Sequence, residues 1–230
     1  MNSKRALKRG EEGENKVAAL LESDASFHRL INNLVLLGNN DVSHQIDHIL
    51  INENGVFVIE TKNYYGVING KEEDSFWTRS YFEKGKRKTI KFHNPVKQNM
   101  SHIRSIVRLI GRDYPLYCFV VFTQNNVDGL DIFNVCNLDS LLKRLSLVQS
   151  ETPLSKDKIE KAYQTLLMNE ADINNEEHIN KVKEVEKDRK EHQKKIRMAI
   201  EKRICPYCGY KLQLVDNKLT CYKCGKSVKL

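Results

Sequence analysis

Apolar positions along the 230-residue chain change period several times, and each change marks a predicted element. Val17, Leu20 and Leu21 recur at helical spacing and predict a helix over Glu11–Glu22, with acids in a first turn where the macrodipole favours them. The basic stretch before it, MNSKRALKRG, reads as a frayed terminus. Phe27–Leu37 reads as a strand ending at Gly38-Asn39-Asn40. Two more strand-like segments, Ser43–Ile51 and Gly55–Asn63, flank Asn54-Gly55, a strong hairpin signal. The second, carrying VFVIETKN, is apolar on both faces up to Glu60, the pattern of a buried central strand.

Shorter strands are predicted at Gly66–Gly70, Ser75–Phe82 and Lys86–Phe92. Asn94 then starts a long helix with Pro95 at its first position, the favoured place for proline. Its Ile103, Ile106, Val107 and Ile110 would bury against the sheet, and its N-terminal amides are a candidate phosphate site. Leu116–Thr123 predicts a buried strand parallel to its neighbour through the helical crossover. Helices near Leu138–Leu147 and Lys156–Met168 complete an α/β domain over residues 1–170. Residues 171–203 are dominated by charge and by Asn, Gln and His, with sparse apolar positions at Ile179, Val182, Val185, Ile196 and Ile200. That composition predicts a solvated helical arm whose role is spacing. Residues 204–230 form a third region.

A hydrophobic content of 40% suffices for a real core in the first domain. No apolar run approaches the eighteen or so residues of a membrane span, and no signal-peptide pattern is present, so a reducing cytoplasmic setting is the expectation. Lys and Arg exceed Asp and Glu by 38 to 30, a net +8 that suits a polyanionic partner. Five lysines against one acid after Cys205 carry half of that excess. The single tryptophan, Trp77, with Phe76, Tyr81 and Phe82, is expected to pack on the sheet rather than stack on bases. Lys84, Lys86, Arg87, Lys88 and Lys91 fit either a backbone channel or a solvated hairpin face. Cys118 and Cys136 read as buried structural thiols.

The chemistry concentrates in the central hairpin. Strand side chains repeat every two residues, so Glu60 and Lys62 share a face. A loop at Asn54-Gly55 sets Asp47 opposite Lys62; a loop at Glu53-Asn54 sets it opposite Glu60. Both registers gather Asp47, Glu60 and Lys62 on one face, where two ionised carboxylates would repel. A hard divalent cation, Mg²⁺ or Mn²⁺, held by Asp47 and Glu60 would remove that conflict, with Lys62 steadying the developing phosphoryl charge. His44 and His48 lie an odd number of residues from Asp47, so alternation sends both to the other face.

The run from Asp47 to Gly70, with GEEGE at Gly10–Glu14 before it and HNPVKQN at His93–Asn99 after it, resembles the nuclease-related domain (NERD), placed in the PD-(D/E)xK nuclease superfamily. The resemblance covers roughly residues 8 to 125, and nothing in these positions departs from the active pattern. It implies a restriction-endonuclease-like α/β fold with a mixed central sheet flanked by helices. It also implies Glu14 as a helix-borne acid of the site, Asp47 as the metal-binding aspartate, Glu60 and Lys62 as the E-x-K pair, and Gln98 as a helix-borne polar residue facing them.

Cys205, Cys208, Cys221 and Cys224 form two CxxC pairs, each followed by glycine, separated by a hairpin's length. This is the spacing of a four-cysteine structural zinc ribbon, closed to catalysis, whose metal would supply the folding energy of so short a segment. It resembles the four-cysteine zinc modules appended to bacterial topoisomerases, and with Tyr207, Tyr210, Tyr222 and its lysines would bind DNA without sequence preference. The sequence therefore predicts a Mg²⁺-dependent DNA nuclease acting on single- or double-stranded DNA and using no membrane. RNA as substrate and a homodimer stay open, as does a ribbon that binds protein. The alternative is an idle nucleic-acid-binding or adaptor protein on the same fold.

Overall fold

The computed structural model describes residues 2–26, 28–37, 43–124, 126–171, 180, 184, 187–188, 191, 194–198, 200–215 and 218–229. The chain divides into two compact units, Met1–Asp172 and Ile173–Leu230.

The first unit is built on a five-stranded sheet of order β1-β2-β3-β7-β8, formed by β1 (Arg29–Leu37), β2 (Ser43–Asn52), β3 (Gly55–Lys62), β7 (Leu116–Phe122) and β8 (Val135–Asn137). The hairpin side is antiparallel; β3 and β7 run parallel across a helical crossover, Pro95–Ile110, and β8 is parallel to β7. The three-residue β8 gave no periodic signal in the sequence. Seven of the eight residues of β3 are buried, the price of its central place between two helical layers. On one side α2 (Pro95–Ile110) and α4 (Lys156–Met168) cover Ile49, Ile51, Val56 and Val58 through Ile103, Ile106, Ile159 and Leu166. On the other, α1 (Asn2–Glu22) and α3 (Leu141–Ser146) cover Leu50, Phe57 and Ile59 through Val17, Leu21, Leu141 and Leu145.

A second sheet, β4 (Val67–Asn69), β5 (Phe76–Glu83) and β6 (Lys86–His93), is antiparallel and anchored by Trp77. Trp77 is fully buried and stacks on Phe122, as expected, whereas Phe76 and Phe82 are exposed rather than packed. Lys84, Lys86, Arg87, Lys88 and Lys91 are all exposed.

Three expectations need correction. The N-terminal helix starts at Asn2, not Glu11, so the basic stretch belongs to it and its first turn holds no acid. Gly10, which the frayed-terminus reading set outside the helix, lies inside it. The α2 amides are not free for phosphate: Asn94 Oδ1 accepts from the N–H groups of Val96 and Lys97, its carbonyl accepts from Gln98, and Pro95 has none. The turn at Gly38-Asn39-Asn40 and arm positions Ile179, Val182 and Val185 lie outside the described residues; residues 194–198 are helical. Among the described residues, no helix is long and apolar enough to cross a membrane.

Candidate functional site

The site forms where β2 parts from β3. Their pairing runs from Asn52↔Gly55 to His48↔Ile59, so the loop is Glu53-Asn54, and the register carried one step further sets Asp47 opposite Glu60. Beyond His48 a side chain takes over the ladder: the Thr61 N–H donates to Asp47 Oδ2 at 2.7 Å. Strict alternation also fails here. Ile31 and Leu34 of β1 share the α2 side, as do Ile46 and Ile49 of β2, and Asn33 between the first two has φ of 59°, a left-handed conformation that asparagine tolerates.

That change of face separates the two histidines. His48 stays where alternation predicts, its ring 2.8 Å from Asn32 Oδ1 and 3.2 Å from Thr61 Oγ1, and burial lowers its pKa to about 4. His44 instead stacks on His102 of α2, ring centroids 5.2 Å apart. His102 Nε2 in turn lies 3.5 Å from Glu60 Oε2. The expectation that His44 points away from the site therefore fails, and His102, one helical turn after Gln98, is a site neighbour the sequence reading missed.

Glu60 is 3% exposed at the end of β3. Its Oε1 is contacted by Lys62 Nζ and accepts from Gln98 Nε2 at 2.8 Å, while Lys62 Nζ also donates to Gln98 Oε1 at 3.3 Å. Gln98 is placed by its neighbour: buried Asn99 donates to the carbonyls of Val58 (2.7 Å) and Phe119 (2.8 Å), pinning α2 across β3 and β7. Glu14 comes from the opposite layer. A Cβ on Gly13 would meet Asn63 Cβ at 2.8 Å, so only glycine lets α1 lie this close to the end of β3. Asn63 Nδ2 completes the junction by donating to Arg9 O at 2.7 Å. Glu14 sits in the middle of α1 rather than in its first turn, so capping chemistry does not account for it.

Glu14, Asp47, Glu60 and Lys62 line one open cleft of about 320 Å³, together with Arg9, Tyr64 and Arg79; Gln98 meets Glu60 from α2. Burial, then the Glu60 charge, pushes the Asp47 carboxyl well above the usual range. Burial acts on Glu60 the same way, but the charge of Lys62 and its contact with Oε1, with the His102 ring close by, outweigh it and hold Glu60 low. Lys62 is raised by Glu60 against the opposing pull of burial. Burial and Glu60 also raise Glu14. One carboxylate is thus matched by an ammonium while Asp47 is not, and a set of hard oxygens with surplus negative charge suits Mg²⁺ or Mn²⁺. Glu14 does not join Asp47 and Glu60 in a tight cluster: among the described residues, the four cysteines are the group of at least three metal-binding side chains whose ligand atoms converge within 4.8 Å.

The cysteine centre is a repeat of one hydrogen-bonded knuckle. Gly209 N donates to Cys205 O and Gly225 N to Cys221 O, and Cys205 N and Cys221 N donate to Tyr210 O and Lys226 O. The glycines have φ of 72° and 70°, the left-handed turn that closes each knuckle. Sγ atoms of Cys205 and Cys224 lie 3.6 Å apart and those of Cys208 and Cys221 3.4 Å, with no disulfide. Tetrahedral zinc at Zn–S near 2.3 Å needs S···S of about 3.8 Å, so the four thiols fit it. The strands β9 (Gln213–Val215), β10 (Lys218–Thr220) and β11 (Ser227–Lys229) complete the ribbon.

A mixed sheet flanked by helices, with Asp, Glu and Lys gathered at the end of its central hairpin, is consistent with the restriction-endonuclease-like class of fold. Residues 9–123 match the family model described as Nuclease-related domain, half of the chain, and the chain belongs to that family. A nuclease-like or nucleic-acid-related function follows at that level. An uncharacterized protein of Bacillus anthracis is 38% identical over 115 residues, 50% of this chain and 52% of that protein. The chain thus spans about half the length of the curated relative it matches. No solved structure matches it significantly.

Proposed function

We propose that the chain is a metal-dependent nuclease that hydrolyses the phosphodiester bonds of DNA, with Mg²⁺ or Mn²⁺ at Asp47 and Glu60 and a structural-zinc ribbon that holds DNA. The observation that carries this reading is the unmatched Asp47 carboxyl beside the Glu60–Lys62 pair in one open cleft of a nuclease-related core. A bound cation there supplies polarisation of a phosphate oxygen and a more acidic water.

The residues of the chain do the rest. Lys62 has three donors; two are engaged by Glu60 and Gln98, which leaves one for a phosphate oxygen or the attacking water. Gln98 fixes the Glu60 carboxylate, and the Thr61 N–H fixes that of Asp47. Glu14, with its pKa raised, holds a proton more readily than an ordinary glutamate and is suited to exchanging one with the attacking water or the leaving oxygen. On the ribbon, Tyr207, Tyr210 and Tyr222 are exposed and Lys226 lies over the Tyr207 ring, a surface for backbone and base contacts without sequence readout.

The test is cleavage of labelled single- and double-stranded DNA by the purified chain in Mg²⁺, Mn²⁺ or EDTA, beside Glu60→Ala and Lys62→Ala. Cleavage should require metal and fall by about a hundredfold or more in each variant. No cleavage of any substrate, with DNA binding unchanged in all three proteins, would leave a nucleic-acid-binding or adaptor protein instead.

A further inference from the structure

Arg9, Tyr64 and Arg79 line the cleft without a part in the hydrolytic chemistry, and two more rings, Tyr65 and Tyr81, adjoin them. Trp77 fixes the start of β5, and the alternation of that strand sets Arg79 and Tyr81 on its side of the sheet. Tyr64 and Tyr65 follow directly from β3. Arg79 Cζ lies 4.9 Å from the centroid of Tyr64, 5.5 Å from that of Tyr81 and 5.7 Å from that of Tyr65. Tyr65 and Tyr81 meet edge to face at 4.9 Å, and Arg9 of α1 lies 5.8 Å from Tyr65.

Three features distinguish this cluster from ordinary surface packing. Arg9 and Arg79 line the same cleft as Glu60 and Lys62, and among the described residues neither pairs with a carboxylate. Tyr65 is 41% exposed although two arginines and a second ring surround it. Across the hairpin, exposed Lys86 and Lys88 stand opposite Glu83 and Tyr81 and so put positive charge on the same face of the sheet, while Arg87 and Lys91 lie on the other. Unpaired guanidinium groups match phosphates. The rings match something phosphate does not supply, which is the face of a base. In a duplex those faces are covered by neighbouring pairs; in a single strand each is free to stack on an aromatic ring or a guanidinium plane.

We propose that Tyr65, Tyr81 and Arg79 form a stacking platform beside the cleft for an unpaired base adjoining the scissile phosphate, and that single-stranded nucleic acid or an unpaired end is the substrate class of this site. The proposal rests on the nuclease reading only for the word scissile; the platform itself is a binding site. Arg9, on the α1 side, takes a neighbouring phosphate.

The experiment measures binding of the full, zinc-loaded chain in buffer free of Mg²⁺ and Mn²⁺ and without a chelator, where a metal-dependent nuclease does not cut and the ribbon keeps its metal. Three labelled probes are compared by fluorescence anisotropy: a short thymidine oligonucleotide, an abasic oligonucleotide of the same length, and a blunt duplex. The intact chain should bind the thymidine strand about tenfold more tightly than the abasic one, with the duplex no tighter than the abasic strand. Tyr65→Ala combined with Tyr81→Ala should bring that ratio close to one, and the double Phe variant should retain it. Arg79→Lys, which keeps the charge and loses the plane, should weaken thymidine binding and leave abasic binding unchanged. Equal binding of base-bearing and abasic strands by the intact chain overturns the proposal. So does an unchanged ratio in the double Ala variant, which would assign the preference to the ribbon. Cleavage read separately keeps the two ideas apart: a ratio that behaves as expected in a chain that cuts nothing removes the nuclease and leaves the platform, and cleavage with a ratio of one removes the platform alone.

Discussion

The two metal-suited centres of this chain are assembled by opposite means. The carboxylate cleft sits on a sheet buried between helical layers, and its polar groups are placed by that packing: Asn99 pegs α2, Gly13 admits α1, and the Thr61 amide holds Asp47. The cysteine centre has almost no such support. Its buried cluster is Leu212, Leu219 and two of the cysteines themselves, with Ile200 against them. In the first centre the fold holds the ligands; in the second the ligands must hold the fold.

Zinc removal gives the largest expected difference. Binding worth on the order of 10 kcal/mol stands behind the ribbon, so stripping the metal or substituting Cys205→Ser should unfold it while leaving the cleft unit folded. Amide hydrogen exchange reads both at once. Protection at β10 and at Cys221 should vanish on chelation, and protection along β3 and β7 should not change. Protection of β10 that survives complete zinc loss would mean the small cluster suffices by itself, and the contrast would disappear.

Acid probes the other centre. His48 is fully buried, and its pKa is lowered to about 4, so it is neutral in the fold but takes a proton near pH 6.5 when unfolded. The unfolded state therefore binds more protons between those values, and stability should fall as pH drops from about 6.5 to about 4, by about 3 kcal/mol. Trp77 is the only tryptophan in the sequence and is buried in the first unit, so its fluorescence during urea unfolding in EDTA follows that unit alone. His48→Gln should flatten the profile. Equal acid sensitivity in both proteins would place the titrating group elsewhere.

How far the sequence could be read divides along the same line. The ribbon was legible from four cysteines and two glycines, because a metal dictates its own ligand spacing. The hairpin, α4 and the Asp47–Glu60–Lys62 grouping were legible because strand and helix periods determine which residues share a face. What escaped depends on contacts between distant segments. Apolar spacing starts the helix only after Gly10, and nothing local announces that Gly13 is where it meets Asn63. Alternation along β2 fails between Ile46 and Ile49, beside the left-handed Asn33 of β1, and the His44 reading assumed it would hold. Arg79 enters the cleft from a separate sheet, and no local pattern announces it. Asn94 carried a capping signature that competes with phosphate binding for the same amides, and the cap prevails.

The smallest effect tests the reason for placing a cation at the cleft. The Asp47 carboxyl is raised by burial and by Glu60, so the folded chain binds a proton there at pH values where the unfolded carboxyl, near 3.9, has lost it. Stability therefore falls as pH rises from that value through the raised folded pKa, and above it the full penalty of an ionised Asp47 persists. Asp47→Asn removes the charge and keeps an oxygen for the Thr61 N–H. In EDTA at neutral pH its first unit should melt roughly 2–4 °C higher than that of the intact chain, the change that about 1 kcal/mol produces at this length. Mg²⁺ should then raise the melting temperature of the intact chain and leave that of the variant unchanged, because a ligand stabilises only the state that binds it. An Asp47→Asn chain that melts lower in EDTA would mean that Asp47 is a structural acceptor already satisfied by Thr61 and Lys62, with no surplus charge left for a metal to neutralise.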